Sequence, residues 1–433
     1  MRRLIRLCSF ASLYDAAAQS IVDMYARLRT ENDGGVGFTS RVVIQNRSEE
    51  FRWRTRMIKN ELEEFHRGVT FSADGSTLCA YDASKRALTV GKLSNDSVED
   101  VFEVKTGERS HQWMLDASGR TCTTSERDAP TTTRECDSGR VVATYRSFND
   151  KDEVTGACGL GYVNDGRQIA SGCDGFVDVF DVERPGRTPV ARVRTRTKAS
   201  VYERLGSQGG LVSCVDGCPI ERDVFACGTY GGGRGAIDCG VYDGRADGGR
   251  VASWASGGAG VTQTKWSACG NFVFVASRKN SKISCVDIRR TGSEVYTLER
   301  NVGETNQRVT FDIEPCGAHL ISGGVDGKLR FFDLRRGVEV MPCKTEDGCP
   351  ARWGVDTVTC VNSFAFHPFA SAPGSRAFRG AFAVGERVFV DFDSSDSDHA
   401  ESDAIEDPTS YFGVYLVDYP TESVPLDAPS TPV

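Results

Sequence analysis

Residues 303–337 read GETNQRVTFDIEPCGAHLISGGVDGKLRFFDLRRG, and this stretch decides the fold. VTFDIE alternates apolar and polar residues, the period-two signature of a strand with one buried face. A Gly-containing turn follows, then a second short apolar run (HLIS), a small VDG loop, and a third run, KLRFFDL, that closes on Asp333. The same order recurs along the chain. Its first turn appears at Asp74-Gly75, Gly119, Asp165-Gly166, Gly270 and Gly317, with a degenerate copy near Gly217 and a last one at His367-Pro368. Successive spacings of about 44 to 53 residues match a four-stranded unit repeated seven times.

One such sheet cannot bury both faces. Seven set radially cover one another and expose only short edges. The expected fold is therefore all-β, a seven-bladed WD40-type β-propeller with an N-terminal extension. Units close on Asp181, Asp243, Asp287 and Asp333, where a WD repeat carries its Trp-Asp pair. Phe180, Tyr242, Val286 and Phe332 stand in place of the Trp, and the Gly-His signature is absent. Each aspartate is expected to tie a turn to the backbone. The domain plan is an N-terminal extension at 1–50, partly helical or disordered, a propeller at 51–420 with an acidic loop at 391–407, and a disordered tail at 421–433. Residues 40–46 (SRVVIQN) could add an edge strand. The middle of the second unit looks compressed. In the last unit VNSFAFHP, GAFAVG and ERVFVDF read as three strands, and SYFGVYLVDY, beyond the acidic insertion, as the fourth. The Arg-rich start of the chain has helical period and fits either a docked amphipathic helix or a mitochondrial presequence, the former preferred.

The net charge of −8 is misleading. Residues 391–407 alone carry eight acids and no Lys or Arg, so the remainder is formally neutral. Sixteen cysteines occur without a CxxC pair, and many lie in apolar runs such as TLCAY and ISCVDI. They read as small hydrophobes in a reducing compartment, with no metal site. Cys214 with Cys218 and Cys343 with Cys349 lack suitably spaced His partners. His66, His111, His319, His367 and His399 are isolated. GACGLG (156–161) is not followed by a helical pattern, and GTYGGGRG lacks a Walker Lys-Ser pair. No cofactor and no enzymatic activity are expected, and no run is long and apolar enough for a membrane helix.

Propeller strands alternate in direction, so loops between second and third strands share a face with the connections between blades. That face collects Lys85 and Arg86, Gln208, Tyr230, Arg278 and Lys279, Asn306, Gln307 and Arg308, and Lys328. Cations neutralise phosphates, amides and Arg read the edges of splayed bases, and Tyr or Arg planes stack them, which suits unpaired RNA loops. A protein or peptide partner, or plain solvation, fits the same composition.

Several segments carry a family resemblance. YRSFNDKDEVTGACGLGYVNDGRQIASGCDGFVDVFDVERPGR (145–187), FACGTYGG, SRKN and TNQRVTFDIEPCGAHLISGG resemble the telomerase Cajal-body WD-repeat family, from about residue 65 to about residue 368. VERPGR and TNQR are the most specific pieces. The resemblance implies an RNA-binding scaffold, not an enzyme, that recognises the CAB-box loop of small Cajal-body RNAs in the nucleus. It implies H/ACA ribonucleoproteins as partners and, where the host RNA carries the motif, telomerase RNA. It implies a monomer without membrane contact. A scaffold that binds only proteins remains the alternative. On this basis Arg278, Lys279, Asn306, Gln307 and Arg308 are expected to form the centre of an RNA contact, with Tyr230, Lys85, Arg86 and Lys328 around it.

Overall fold

In the computed structural model, residues 66–83, 86–94, 97–106, 110–126, 128–186, 188–196, 208–231, 236–245, 249–290, 292–339, 360–368, 377–385 and 411–418 are described. The expectations for 1–50, for the strand at 40–46, for the acidic loop 391–407 and for the tail 421–433 lie outside them.

Six four-stranded antiparallel sheets follow one another, spanning 66–105, 110–145, 159–194, 212–254, 261–299 and 311–339. Among the described residues the protein is an all-β propeller with six such blades. A three-stranded sheet follows, made of Val361–Phe366, Ala377–Val384 and Tyr411–Asp418. A two-stranded ribbon, Ser147–Phe148 with Val154–Thr155, stands between the second and third sheets. The second sheet is complete, not compressed: Ser110–Leu115, Thr121–Glu126, Thr131–Glu135 and Val141–Tyr145 all pair. Tyr411–Asp418 pairs directly with Ala377–Val384 along its whole length, so it is the third strand of its sheet and not the fourth. The proposed ERVFVDF strand lies outside the described residues.

The turns explain why the repeat is visible in sequence. Gly75, Gly119, Gly166, Gly270 and Gly317 all take left-handed backbone, with φ between 66° and 78°, a region a Cβ disfavours. In four of these turns the glycine N–H donates three residues back, to Ser72, Asp116, Ser267 and Glu314. The fourth unit departs from the expectation. Gly217 lies inside strand Val212–Gly217, and Asp223 (φ 61°) takes the left-handed place in a longer turn. Asp181, Asp243, Asp287 and Asp333 each accept the N–H two residues ahead, at 2.8–3.0 Å. The aromatic and aliphatic groups before them, Phe180, Tyr242, Val286 and Phe332, are fully buried.

Inner strands of neighbouring sheets do not pair, so their edge groups need other partners. Side chains supply them. Gln112 Oε1 accepts the Leu160 N–H at 2.6 Å, and Gln263 takes both the N–H and the carbonyl of Phe311. Lower down, Asp216 accepts the Trp266 N–H at 2.8 Å and Asp312 accepts the Phe366 N–H at 2.7 Å. The three-stranded sheet joins the first sheet in the same way. Asn362 donates to the His66 carbonyl at 2.7 Å, and the Val69 N–H donates to Ser363 Oγ at 3.3 Å.

The core lies between sheets. Thirteen cysteines of the described residues are free thiols and ten are buried, packed in clusters with Val, Phe and Tyr, as expected of small hydrophobes.

Candidate functional site

Inner strands of five sheets enclose an axial cavity of about 190 Å³, lined among others by Arg67, Gln112, Gln263, Lys265, Arg308 and Asp312. Of the loops predicted to share one face, the one carrying Arg308 reaches this cavity at its neck, and those carrying Tyr230 and Arg278 join it through their side chains. Their backbones interlock there: Tyr230 N–H donates to the Leu211 carbonyl, Arg278 N–H to Gly260, and Val325 N–H to Asn301, all at 2.8–2.9 Å.

Tyr230 is the centre of the arrangement. It follows strand Val224–Thr229, and the Arg278 guanidinium, which follows Phe272–Ser277, stacks 3.7 Å from its ring centroid. Arg308 Nε donates to the phenol oxygen at 2.7 Å, and its Nη2 donates to the Ser213 carbonyl at 3.0 Å. Cation–π stacking and a charge-assisted hydrogen bond thus fix two guanidiniums on one ring. Arg278 Nε is buried without a hydrogen-bond partner among the described residues.

Arg67 completes the set. It sits at the bulge between His66 and Gly68, where the pairing of the first two strands slips. Bulges re-aim side chains at sheet ends. Gly68 is required beside it, since a Cβ there would lie 2.8 Å from the Trp113 ring. Burial, followed by the charge of Arg308, brings Arg67 down to about 10. Burial also opposes the charge on Arg308, but Tyr230, Cys158 and Cys214 outweigh it and the guanidinium stays raised. At Cys158 burial raises the thiol, and three guanidiniums, Arg308, Arg67 and Arg278 in that order, act against it. Three guanidiniums therefore favour the charged form of one buried thiol.

The other predicted residues sort differently. Lys279 and Asn306 are exposed at the rim, next in chain to Arg278 and close before Arg308, and Lys279 holds a left-handed φ of 51°. Lys328 is exposed on the turn before Arg330–Asp333. Arg86 is exposed at φ 53° and, with Arg67, acts on the Tyr81 phenol, whose pKa burial raises. Lys85 lies outside the described residues. The Gln307 amide nitrogen donates to Asn362 Oδ1 and to the Gly385 carbonyl, which ties the sixth sheet to the next. Gln208 is fully buried, donating to the Cys227 and Asp238 carbonyls and accepting the Tyr242 hydroxyl, so it is a core tie and not a surface contact. Arg67 was missed by sequence reasoning although a signal exists. Arg308-Val-Thr-Phe and Arg67-Gly-Val-Thr-Phe are the same motif offset by one residue, which the bulge absorbs. Among the described residues no group of three or more His, Cys, Asp or Glu is arranged to hold a metal, and no helix is long and apolar enough to cross a membrane.

A bovine telomerase Cajal body protein 1 is 32% identical over 259 residues, covering 59% of this chain and 44% of that protein. The chain is similar to telomerase Cajal body proteins. The human protein of that name is 30% identical over 259 residues, covering 59% of this chain and 43% of its own length. A fission-yeast protein, guanine nucleotide-binding protein negative regulator 1 of Schizosaccharomyces pombe, is 30% identical over 228 residues, covering 51% of this chain and 55% of that one. The chain thus spans less than half the length of the mammalian telomerase Cajal body proteins it matches. No family model matches it.

Proposed function

We propose that this protein is a non-enzymatic RNA-binding scaffold. It takes the CAB-box loop of small Cajal-body (H/ACA-type) RNAs at the neck of its axial channel, and telomerase RNA where that RNA carries the motif. It acts in the nucleus, in Cajal bodies or their equivalent, with H/ACA ribonucleoprotein proteins as partners. Its domain is a seven-bladed WD40-type ring over about 51–420, the three-stranded sheet being the seventh blade.

The observation that carries this reading is the pair of guanidiniums on Tyr230, Arg278 stacked on its ring and Arg308 bonded to its hydroxyl, with Arg67 lining the same cavity as Arg308. Two guanidiniums held on one ring present donors and a stacking plane to an anionic ligand. A concave neck of this size excludes a duplex and admits a splayed loop, whose bases stack on guanidinium or phenol planes. Lys279, Asn306, Lys328 and Arg86 supply phosphate and base-edge contacts around the rim, with Lys85, beside Arg86 in sequence, as a further contact, whereas Gln307 contributes by holding the ring. The similarity to telomerase Cajal body proteins supports the class of RNA.

Fluorescence polarisation with a CAB-box hairpin and a loop-scrambled control tests the proposal. Wild type should prefer the cognate loop. Arg278→Ala should weaken it by about 1–3 kcal/mol, the worth of one stacking contact, with little change in Tm. A second reading, a scaffold for proteins alone, draws on the similarity to the yeast G-protein regulator. It would be favoured if RNA sequencing of pull-downs loses all hairpins once associated proteins are stripped.

A further inference from the structure

Arg278 and Arg308 share the Tyr230 ring, but their donors are engaged differently. Arg308 is fastened on several sides. Its Nε donates to the phenol oxygen at 2.7 Å, its Nη2 to the Ser213 carbonyl at 3.0 Å, and the side chain also bonds the Cys158 thiol. Arg278 meets the ring by its face alone, 3.7 Å from the centroid. Among the described residues its guanidinium makes no hydrogen bond and no ion pair, and its Nε is buried. A half-buried guanidinium with idle donors calls for acceptors from elsewhere. Its place is nevertheless fixed. The Arg278 N–H donates to the Gly260 carbonyl at 2.9 Å, and the Arg278 carbonyl accepts the Ala259 N–H at 3.1 Å. Glycines allow this close approach. A Cβ at Gly258 would lie 2.3 Å from Ser277 Cβ, and one at Gly260, whose φ is 109°, would lie 3.0 Å from Tyr230 Cα. Backbone thus pins the root of Arg278, and the ring holds its tip.

We propose that Arg278 is the specificity-determining residue of the neck: its guanidinium reads the O6 and N7 acceptors of one unpaired guanine, with Tyr230 as the positioning residue beneath it. The inference rests on the RNA-binding function proposed above. A guanidinium stacked on a ring keeps its N–H groups in its own plane, where parallel donors match two adjacent acceptors. With Nε buried, Nη1 and Nη2 are that pair. Among the base edges that carry N7 or its pyrimidine counterpart, guanine alone sets two acceptors side by side. Adenine places an amino donor next to N7, and the pyrimidines have one polar group there. A phosphate also offers paired acceptors, but the exposed Lys279 next in the chain suits it better, as a point charge that needs no fixed plane.

The test uses the full chain with the hairpin and scrambled control of the polarisation assay. Each loop position is changed in turn to the other bases. Wild type should prefer guanine at one position by roughly ten-fold or more. There 7-deazaguanine, which lacks the N7 acceptor, should bind about ten-fold more weakly. Arg278→Lys keeps the charge and loses the fork, so it should bind guanine and 7-deazaguanine equally. Tyr230→Phe should retain the guanine preference and Tyr230→Leu should lose it, whereas a merely structural tyrosine would change affinity for all loops alike. Suppose wild type selects the cognate loop, yet no position prefers guanine or Arg278→Lys still discriminates against 7-deazaguanine. The assignment is then overturned and RNA binding stands. If wild type does not distinguish the hairpin from its scrambled control, the RNA reading falls and the assignment with it. Should Tyr230→Leu fail to fold, the Arg278→Lys comparison decides by itself.

Discussion

At the neck of the channel Arg278 stacks on Tyr230 and Arg308 bonds its hydroxyl, whereas lower down Lys265 lies between Asp216 and Asp312. Both places put ionised groups where water is scarce. The lower set balances itself: burial opposes the Lys265 charge, and Asp312 and Asp216 more than restore it. Its carboxylates also accept the Trp266 and Phe366 N–H groups of the next strands, so they hold the ring. At the neck Arg308 bonds a phenol and a backbone carbonyl instead. On the proposed function, the difference separates charge spent on architecture from charge turned toward a ligand. Arg300 shows how local the distinction is. It lies just before Arg308 on the same connection, yet its Nη1 donates to the Val309 carbonyl at 2.6 Å and to Ser322 Oγ at 3.3 Å, and burial lowers it to about 10.

The contrast can be broken or sharpened by substitution. Asp312→Ala should have the largest effect, about 2–3 kcal/mol in urea unfolding. That is less than the about 3–5 of a fully buried pair, because the Lys265 side chain keeps 36% of its exposure. RNA affinity of the folded fraction should stay unchanged, and a parallel loss of affinity would erase the distinction between the two places. Asp216 gives a pH signature of roughly 2–3 kcal/mol. Burial raises its pKa to about 6, partly opposed by Lys265 and the Trp266 N–H. The folded protein therefore binds this proton more tightly than the unfolded chain does, so stability falls as pH rises from about 4 to about 6 and is flat above. Asp216→Asn should abolish that slope in denaturation midpoints measured across the interval. Arg308→Ala should reverse the pattern of Asp312→Ala, losing about 1.5–3 kcal/mol of RNA binding and flattening the salt dependence by about 0.7 in log–log slope. Its melting temperature should move little. The smallest change is expected from Lys328→Ala on the rim, within about 0.5 kcal/mol for stability, detectable only as a shallower salt dependence.

The sheets were legible because their turns demand particular chemistry. Gly75, Gly119, Gly166, Gly270 and Gly317 mark left-handed positions, and Asp181, Asp243, Asp287 and Asp333 cap the ensuing turns, so the period shows even without a Trp-Asp dipeptide. The period failed where that chemistry changed. Asp223 does the work assigned to Gly217, and Tyr411–Asp418 takes the third place because strand order across an insertion follows pairing, not spacing. Within the site, Tyr230, Arg278 and Arg308 could be gathered from loop position alone. Gln208 and Gln307 could not be sorted, because an amide looks the same whether a distant backbone claims it or not. Arg67 escaped because one bulged residue displaces it from its counterpart in the sixth sheet.

Asn362 and Ser363 reach across to His66 and Val69, so residues nearly three hundred positions apart are fastened by side chains rather than by a shared strand ladder. A chain emerging from the ribosome therefore carries its first neck arginine long before anything exists to hold it against the second. On the proposed function, a molecule cut before the three-stranded sheet would lose RNA capture, and bound RNA would help to hold that sheet against the first.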